Sequence, residues 1–309
     1  MNKIIKCIKN PNLVIIYLME KGLFNWINDK LYLKIKYYLT MKMKLDLSNP
    51  QTFNEKMQWL KLNDRKPEYT NMVDKYEAKE YVKNIIGEQY IIPTLGVWDK
   101  FDDIEFEKLP NKFVLKPTHT SGNIYICKDK SNIDYKELKK IINYWQKRKY
   151  YYYHREWPYK NVKPRIIAEK YMATVKQPEL VDYKFFCFNG EPKFLYVSEG
   201  LSDHSTAKIS FADMDYKLAE FHRSDYESFN KLPDKPLNFA KMKELARKLS
   251  YNIPFVRTDF YEIEGKIYFG ELTFYPCSGY IPFDPEKYDK ILGDMLELPK
   301  EKIEEKNEK

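Results

Sequence analysis

Cysteine and histidine are scarce in this chain, with four of each among 309 residues. Cys7, Cys127, Cys187 and Cys277 stand far apart and form no CxxC pair, which speaks against a disulfide-stapled module and for a reducing cytoplasm. The histidines show no metal-ligand spacing, and no cysteine carries a nucleophile signature. The GxxxxGK[ST] phosphate loop is missing, and nothing resembles a cleaved signal peptide. The apolar run Leu13-Val14-Ile15-Ile16-Tyr17-Leu18-Met19 is far too short to span a bilayer. Internal repeats and low-complexity linkers are also lacking.

What is present is aromatic and basic. Phe, Trp and Tyr make up 16% of the residues, a content that excludes a disordered chain, and the length suffices for one large domain or two modest ones. The 27 tyrosines favour strands and half-wet surfaces, where the ring is buried and the hydroxyl solvated. Lysine and arginine outnumber the acids 53 to 45, a net charge of +8 spread along the chain. Such a balance suits an anionic ligand: a nucleotide, an acidic glycan or an anionic membrane face.

Residues 1–45 read as a basic amphipathic helical segment. Leu23, Trp26, Ile27 and Leu31 recur at helical spacing, followed by Lys34, Lys36, Lys42 and Lys44. Two accounts fit: a helical cap on the main domain, or a peripheral membrane contact in which apolar area and lysines reinforce each other. Thr52-Phe53-Asn54-Glu55 predicts a capped helix start, and a second helix is expected from about Thr70 to Gly87, with Lys75 early in it. There a cation is poorly matched to the helix dipole unless an anion lies nearby; a solvated lysine is the plain alternative. Lys112–Pro117 is a clear strand, followed by the small hydroxyl-rich loop Thr118-His119-Thr120-Ser121-Gly122-Asn123 and a second strand. A strand lysine ahead of such a loop can present charge, N–H groups and hydroxyls to phosphate, and a plain hairpin turn explains it too. A helix from Tyr135 to about Tyr150, a strand Arg165–Met172, and a hairpin turning at Asn189-Gly190 come next. Asp213–Phe229 reads as irregular, and a helix Phe239–Leu249 precedes the last hairpin.

That hairpin pairs Val256–Tyr261 with Lys266–Phe274. With a three-residue loop centred on Gly265, Ile263 faces Ile267, Asp259 faces Glu271 and Arg257 faces Thr273, all four polar groups on one side of the sheet. Facing carboxylates, with Cα atoms roughly 4.5–5.5 Å apart, repel and weaken a bare sheet; a hard cation between them reverses that sign, and a solvated face with an accidental acidic pair is the plain alternative. A two-residue loop at Glu264-Gly265 would slip the register by one and send Glu271 to the other face.

In order along the chain, Asn49-Pro50-Gln51-Thr52-Phe53-Asn54-Glu55-Lys56, Trp59-Leu60-Lys61, Asp74-Lys75-Tyr76, Lys116-Pro117, Asp182-Tyr183-Lys184 and Gly270-Glu271-Leu272-Thr273-Phe274 resemble the ATP-grasp superfamily, and more narrowly its teichuronopeptide-biosynthesis (TupA-like) branch, over roughly residues 45–298. The resemblance implies an α+β ATP-grasp fold, two α+β subdomains sandwiching ATP. It divides the chain into a helical N-terminal extension (1–45), a catalytic domain (46–298, with a lid subdomain at about 110–170) and a charged tail (299–309). It implies that Lys75 and Lys116 contact the ATP phosphates, that Thr118, Thr120, Ser121 and Gly122 belong to a mobile phosphate lid, and that Glu169, Lys170, Tyr171 and Met172 form a hinge whose backbone reads adenine. Asp182 and Lys184 would face the phosphates or the acceptor. Asp259 and Glu271, with Thr273 in a place where many superfamily members carry Asn, would hold Mg²⁺, and Arg257 would steady the transferred phosphoryl group. The lid has a single glycine where more are common, and no ribose-binding acid is evident. The implied activity is ATP- and Mg²⁺-dependent amide formation between a carboxylate, on a uronic-acid-bearing surface polysaccharide or its precursor, and an amine or amino acid. Rival readings are a sugar kinase or glycosyltransferase of the same biosynthesis, and a non-enzymatic polyanion or nucleic-acid binder. The last predicts steep salt dependence, but no basic-aromatic recognition motif appears.

Overall fold

Two antiparallel sheets carry the fold, one on each side of a cleft. The computed structural model describes residues 11–175, 177, 179–200 and 207–300. Helices α1 (Pro11–Glu20), α2 (Asp29–Met41), α3 (Phe53–Asn63), α4 (Glu68–Val73) and α5 (Glu77–Ile86) lead into strands β1 (Thr94–Trp98), β2 (Phe113–Pro117) and β3 (Tyr125–Cys127). After α6 (Tyr135–Gln146) and the short α7 (Tyr151–His154) come β4 (Ile166–Lys170), β5 (Asp182–Phe188), β6 (Glu191–Glu199), β7 (Lys208–Asp213) and β8 (His222–Arg223). The chain then runs through α8 (Phe239–Leu249), β9 (Phe255–Ile263), β10 (Lys266–Thr273), β11 (Phe283–Asp284) and α9 (Lys287–Asp294).

The larger sheet has the order β10-β9-β5-β6-β7. Alternation along β5 and β9 decides what each face does. On one face Phe185 meets Phe239 of α8, whose Phe239, Met242, Leu245, Ala246 and Leu249 form its buried stripe. On the other face Phe186, Phe188 and Phe255 close around Phe53 of α3. Continuing along that same face, the side chains become Asp182, Lys184, Arg257 and Asp259. The aromatic end is core, and the charged end is left for the cleft. The smaller sheet, β1-β4-β2-β3, packs its own core against α6 through Leu138, Ile142 and Trp145.

Three sequence expectations are corrected here. The helix expected from Thr70 to Gly87 is broken into α4 and α5, because the Asp74 carboxylate accepts from the backbone N–H of Tyr76 at 2.8 Å and of Glu77 at 3.3 Å. Lys75 therefore lies in the break, its N–H bonded to the Thr118 carbonyl at 3.2 Å. The helix from Tyr135 stops at Gln146, short of Tyr150. The last hairpin turns in two residues: Ile263 pairs with Lys266, and Glu264 and Gly265 both have positive φ, the primed turn that matches strand twist.

The slip this turn introduces does not persist. Phe260 still faces Phe269, yet Thr258 faces Leu272 and Arg257 faces Thr273. Gly270 and Glu271 thus stand against Asp259 alone, a bulge that adds back the residue the turn removed. Position 270 needs a glycine there: an added Cβ would stand 3.2 Å from both the Asp259 carbonyl and the Tyr261 ring. Gly270→Ala should destabilise the fold by about 1–3 kcal/mol, measured by denaturant unfolding. A variant as stable as the parent would show that the Asp259 carbonyl and the Tyr261 ring give way to a Cβ at this position.

Helix α2 packs inward through Tyr32, Leu33, Tyr37 and Leu39. Asp29, just after the Asn28 cap, accepts from Arg65 at 2.7 Å and from the Tyr151 hydroxyl at 2.6 Å. Lys36, buried, bonds Glu20 at 3.1 Å and the Tyr153 carbonyl at 2.7 Å. These contacts reach into both α3 and α7 neighbourhoods, so the extension is bound to the rest of the fold along α2. Among the described residues no helix is long and apolar enough to cross a membrane.

Candidate active site

The cleft between the sheets has a volume of about 940 Å³, within the range of small-molecule sites. Lys75, Lys116, Gly122, Glu169, Lys170, Tyr171, Met172, Asp182, Lys184 and Glu271 line it.

Strands β5, β9 and β10 build its acidic wall. Arg257 fills the centre: its Nε donates to Asp259 Oδ1 at 2.7 Å, and its Nη2 to Asp259 Oδ2 at 2.6 Å, Glu271 Oε1 at 3.0 Å and Thr273 Oγ1 at 3.0 Å. Lys184 pairs across from Asp259 and donates to it at 2.7 Å and to Asp182 at 2.9 Å. The carboxylates expected to repel therefore share a guanidinium, and the sheet is not left with a bare acidic pair. Side-chain exposure separates their roles: Asp259 is 1% exposed behind the wall, and Glu271 37% exposed on it. Burial alone would lift the Glu271 carboxyl, but Lys184, Arg257, Lys75 and Lys116 hold it below the ordinary value. Against the burial cost, Asp182 and Asp259 push the Lys184 cation well above its ordinary value, and Asp259 and Tyr196 do the same for Arg257.

The opposite wall is cationic and organised by Glu169. Its carboxylate bridges Lys116 at 2.6 Å and Lys79 at 2.5 Å. Burial raises this group, but the two ammoniums overcome that and hold it at about 2. A depressed carboxyl stabilises the fold above the unfolded value, about 4.5, and loses that contribution as pH falls through the folded value. Glu169 should therefore contribute about 3 kcal/mol that disappears between roughly pH 4.5 and 2. Stability curves of Glu169→Gln and the parent should converge across that window; parallel curves would refute the bridge.

The loop expected to form a lid is tied at several points. The Lys75 ammonium donates to the Thr120 carbonyl, and Asn123 Oδ1 accepts from Arg148 at 2.6 Å and from the Thr120 hydroxyl at 3.1 Å. The Thr118 hydroxyl donates to the Lys163 carbonyl at 3.1 Å. Of the loop's expected contacts, Gly122 lines the cleft, whereas Thr118 and Thr120 are buried. In the hinge, the Lys170 N–H is used by the Pro93 carbonyl at 3.0 Å.

Several functional neighbours carry no legible sequence signal. Lys79 owes its place to α5, and Glu179 and Glu199 reach the cleft from segments with no motif. A polar stripe on α3 also escapes the pattern. Asn54, Gln58 and Lys61, at i, i+4 and i+7, hold the segment after β10 by the carbonyls of Ile281, Ser278 and Gly279, at 2.7–3.1 Å. That segment turns through positive φ at Cys277, Ser278 and Gly279. Burial pushes the Lys61 ammonium down to about 7, while Ser278 donates to Glu156 at 2.5 Å.

Among the described residues no three His, Cys, Asp or Glu side chains form a ready-made metal cage. Asp259 and Glu271 nonetheless offer the hard carboxylate oxygens that suit Mg²⁺, which commonly takes one or two carboxylates and completes its shell with water and phosphate. The lysines opposite fit a polyphosphate.

Paired antiparallel sheets flanking a cleft, with lysines on one wall and carboxylates on the other, match the ATP-grasp fold expected from the sequence. The TupA-like ATP-grasp family model matches residues 55–297, and the chain belongs to that family. Among curated proteins none matches it in sequence. Solved structures similar to it include D-alanine–D-alanine ligase from Helicobacter pylori, 18% identical over 73% of this chain and 61% of that one, with a TM-score of 0.37. The Bacillus anthracis ligase complexed with ATP is 18% identical over 73% and 63%, TM-score 0.39. Phosphoribosylamine–glycine ligase from Thermotoga maritima is 12% identical over 67% and 48%, TM-score 0.37. The chain thus spans less than two thirds of the length of each of these three.

Proposed function

We propose that this protein is an ATP- and Mg²⁺-dependent carboxylate–amine ligase, joining an amino acid or amine to a uronic-acid-bearing surface polysaccharide or its precursor through an acylphosphate. The observation that carries this reading is the opposition, across one cleft, of Lys75 and Lys116 to Glu271, Lys184 and Asp182, with Arg257 and Asp259 buried directly behind them. Phosphoryl transfer depends on positioning and charge neutralisation, and these walls supply both without a protein nucleophile. Held by Glu271 and Asp259, Mg²⁺ would neutralise charge on paired phosphate oxygens.

This chain's own residues do the rest. Lys116 and Lys75 bind the polyphosphate, exchanging Glu169 and the Thr120 carbonyl for phosphate oxygens. Glu169 favours the charged form of Lys116 and Lys79 and fixes where their ammoniums stand. Arg257 fixes the Asp259 and Glu271 carboxylates and, through Glu271, steadies the transferring group. Lys184 and Asp182 face the reacting end, and Glu179 or Glu199 can accept from ribose hydroxyls. The glycan end of the reading comes from the family resemblance, and a cytoplasmic location from the cysteine pattern.

The test is release of ADP and phosphate from Mg·ATP, screened over uronic acids and amines. Release that requires both partners and yields an amide is expected. A phosphorylated sugar with no amide would make the protein a kinase, and turnover of a nucleotide sugar would make it a glycosyltransferase.

A further inference from the structure

The N-terminal extension has an outer face that the cleft chemistry does not use. Along α1, Leu13, Val14 and Tyr17 are exposed, as are Leu31 and Tyr38 along α2. The turn joining these helices exposes Leu23 at 59% and Trp26 at 82%. Leu31, Lys34 and Tyr38, at i, i+3 and i+7, form one outward stripe along α2, whereas α1 exposes Leu13, Val14, Ile15 and Tyr17 around most of its circumference and buries only Met19. The inward stripes are filled separately by Met19, Ile27, Tyr32 and Leu39. The Trp26 indole N–H already donates to the Leu23 carbonyl at 3.1 Å, which leaves its ring free of that polar demand.

The charges are sorted by sign. The only acids between residues 11 and 45 are Glu20 and Asp29. Glu20 is engaged by the buried Lys36, and Asp29 by Arg65 and Arg155. Lys21, Lys30, Lys34 and Lys44 are exposed, and the Lys21 ammonium stands 5.3 Å from the Tyr17 ring centre. The outer surface is therefore apolar and aromatic with an excess of positive charge, the exposed acid nearest it being Asp46, which lies close to Lys34. A second copy meeting it about a twofold axis would bring lysine against lysine. An anionic lipid surface complements both properties, since apolar side chains enter the headgroup region while lysines stay at the phosphates.

We infer that the α1–α2 face docks the protein on an anionic membrane leaflet, as an interfacial contact without a span. This surface is separate from the cleft and does not depend on the ligase reading. Full-length protein should co-sediment with vesicles of phosphatidylglycerol mixed with phosphatidylcholine, and not with phosphatidylcholine alone; binding should weaken as salt is raised. Lys30→Glu with Lys34→Glu should lower the partition coefficient by about tenfold or more, because each lysine near such a surface contributes about a factor of five. Trp26→Ala with Leu23→Ser should lower it as well. All four positions are exposed, so thermal melting should show both variants folded. No binding to either vesicle, equal binding to both, or charge-reversed protein that binds like the parent would each overturn the proposal. So would a lipid-free dimer in sedimentation velocity that Trp26→Ala disperses, since a second copy would then be the occupant.

Discussion

Glu271→Gln should abolish Mg²⁺-supported turnover, by at least about a hundredfold, while leaving the fold nearly as stable as before. Asp259→Asn should lose turnover to a similar extent and also unfold more easily. The difference follows from where each carboxylate sits. Glu271 is partly exposed on the cleft wall and shares Arg257 with other oxygens. Asp259 is buried and accepts from both Arg257 and Lys184; neutralising it leaves two buried cations short of a partner, a loss of about 3–5 kcal/mol. A bare facing pair of acids predicts the opposite sign, with either neutralisation relieving repulsion. Two readouts separate the roles: turnover against Mg²⁺ concentration, and unfolding by denaturant. Unchanged Mg²⁺ dependence in both variants would remove these residues from the metal site.

Lys116→Ala should weaken nucleotide binding at least about tenfold, equivalent to about 1.4 kcal/mol. Lys116 is paired with Glu169, an anion whose place ATP phosphates would take. Burial works against the lysine's charge, but Glu169, with Glu271 and Asp182 adding to it, raises the ammonium above its ordinary value. Truncation removes the contact and returns Glu169 to Lys79 alone. Titration calorimetry with a non-hydrolysable ATP analogue measures the loss directly. Affinity equal to the parent's would leave the loop after β2 as an ordinary connection.

How much of this was legible in the sequence depends on the distance over which each feature is encoded. The Thr52–Glu55 capping box and the Asn189-Gly190 turn are written in neighbouring residues, and both form as read. The face shared by Arg257, Asp259, Glu271 and Thr273 was read correctly for an incomplete reason. The turn is one residue tighter than expected, and a bulge at Gly270 restores the register, so two local departures cancel. Glycine before an acidic strand residue is the one local hint of that bulge. The break at Asp74 was hidden because the apolar spacing runs through it, and only the carboxylate's reach to two N–H groups ends α4. Glu169 illustrates a different limit: bridging Lys116 and Lys79 depends on β4 pairing with β2 and on α5 packing near both. No periodicity within one segment encodes such a meeting. The Asn54–Gln58–Lys61 stripe has helical spacing but holds a segment more than 200 positions away.

The central claim is that this cleft activates a carboxylate by phosphorylation. An acceptor whose carboxylate carries ¹⁸O, incubated with the protein, Mg·ATP and an amine, tests it most directly. In the proposed reaction a carboxylate oxygen attacks the γ-phosphorus and ADP departs. The amine nitrogen then attacks the carbonyl carbon and gives up a proton, and the phosphate leaves with the oxygen that attacked. One ¹⁸O atom should therefore appear in the released phosphate for each amide formed. Amide formed with unlabelled phosphate, or ADP released while all label stays in a phosphorylated sugar, would contradict the account.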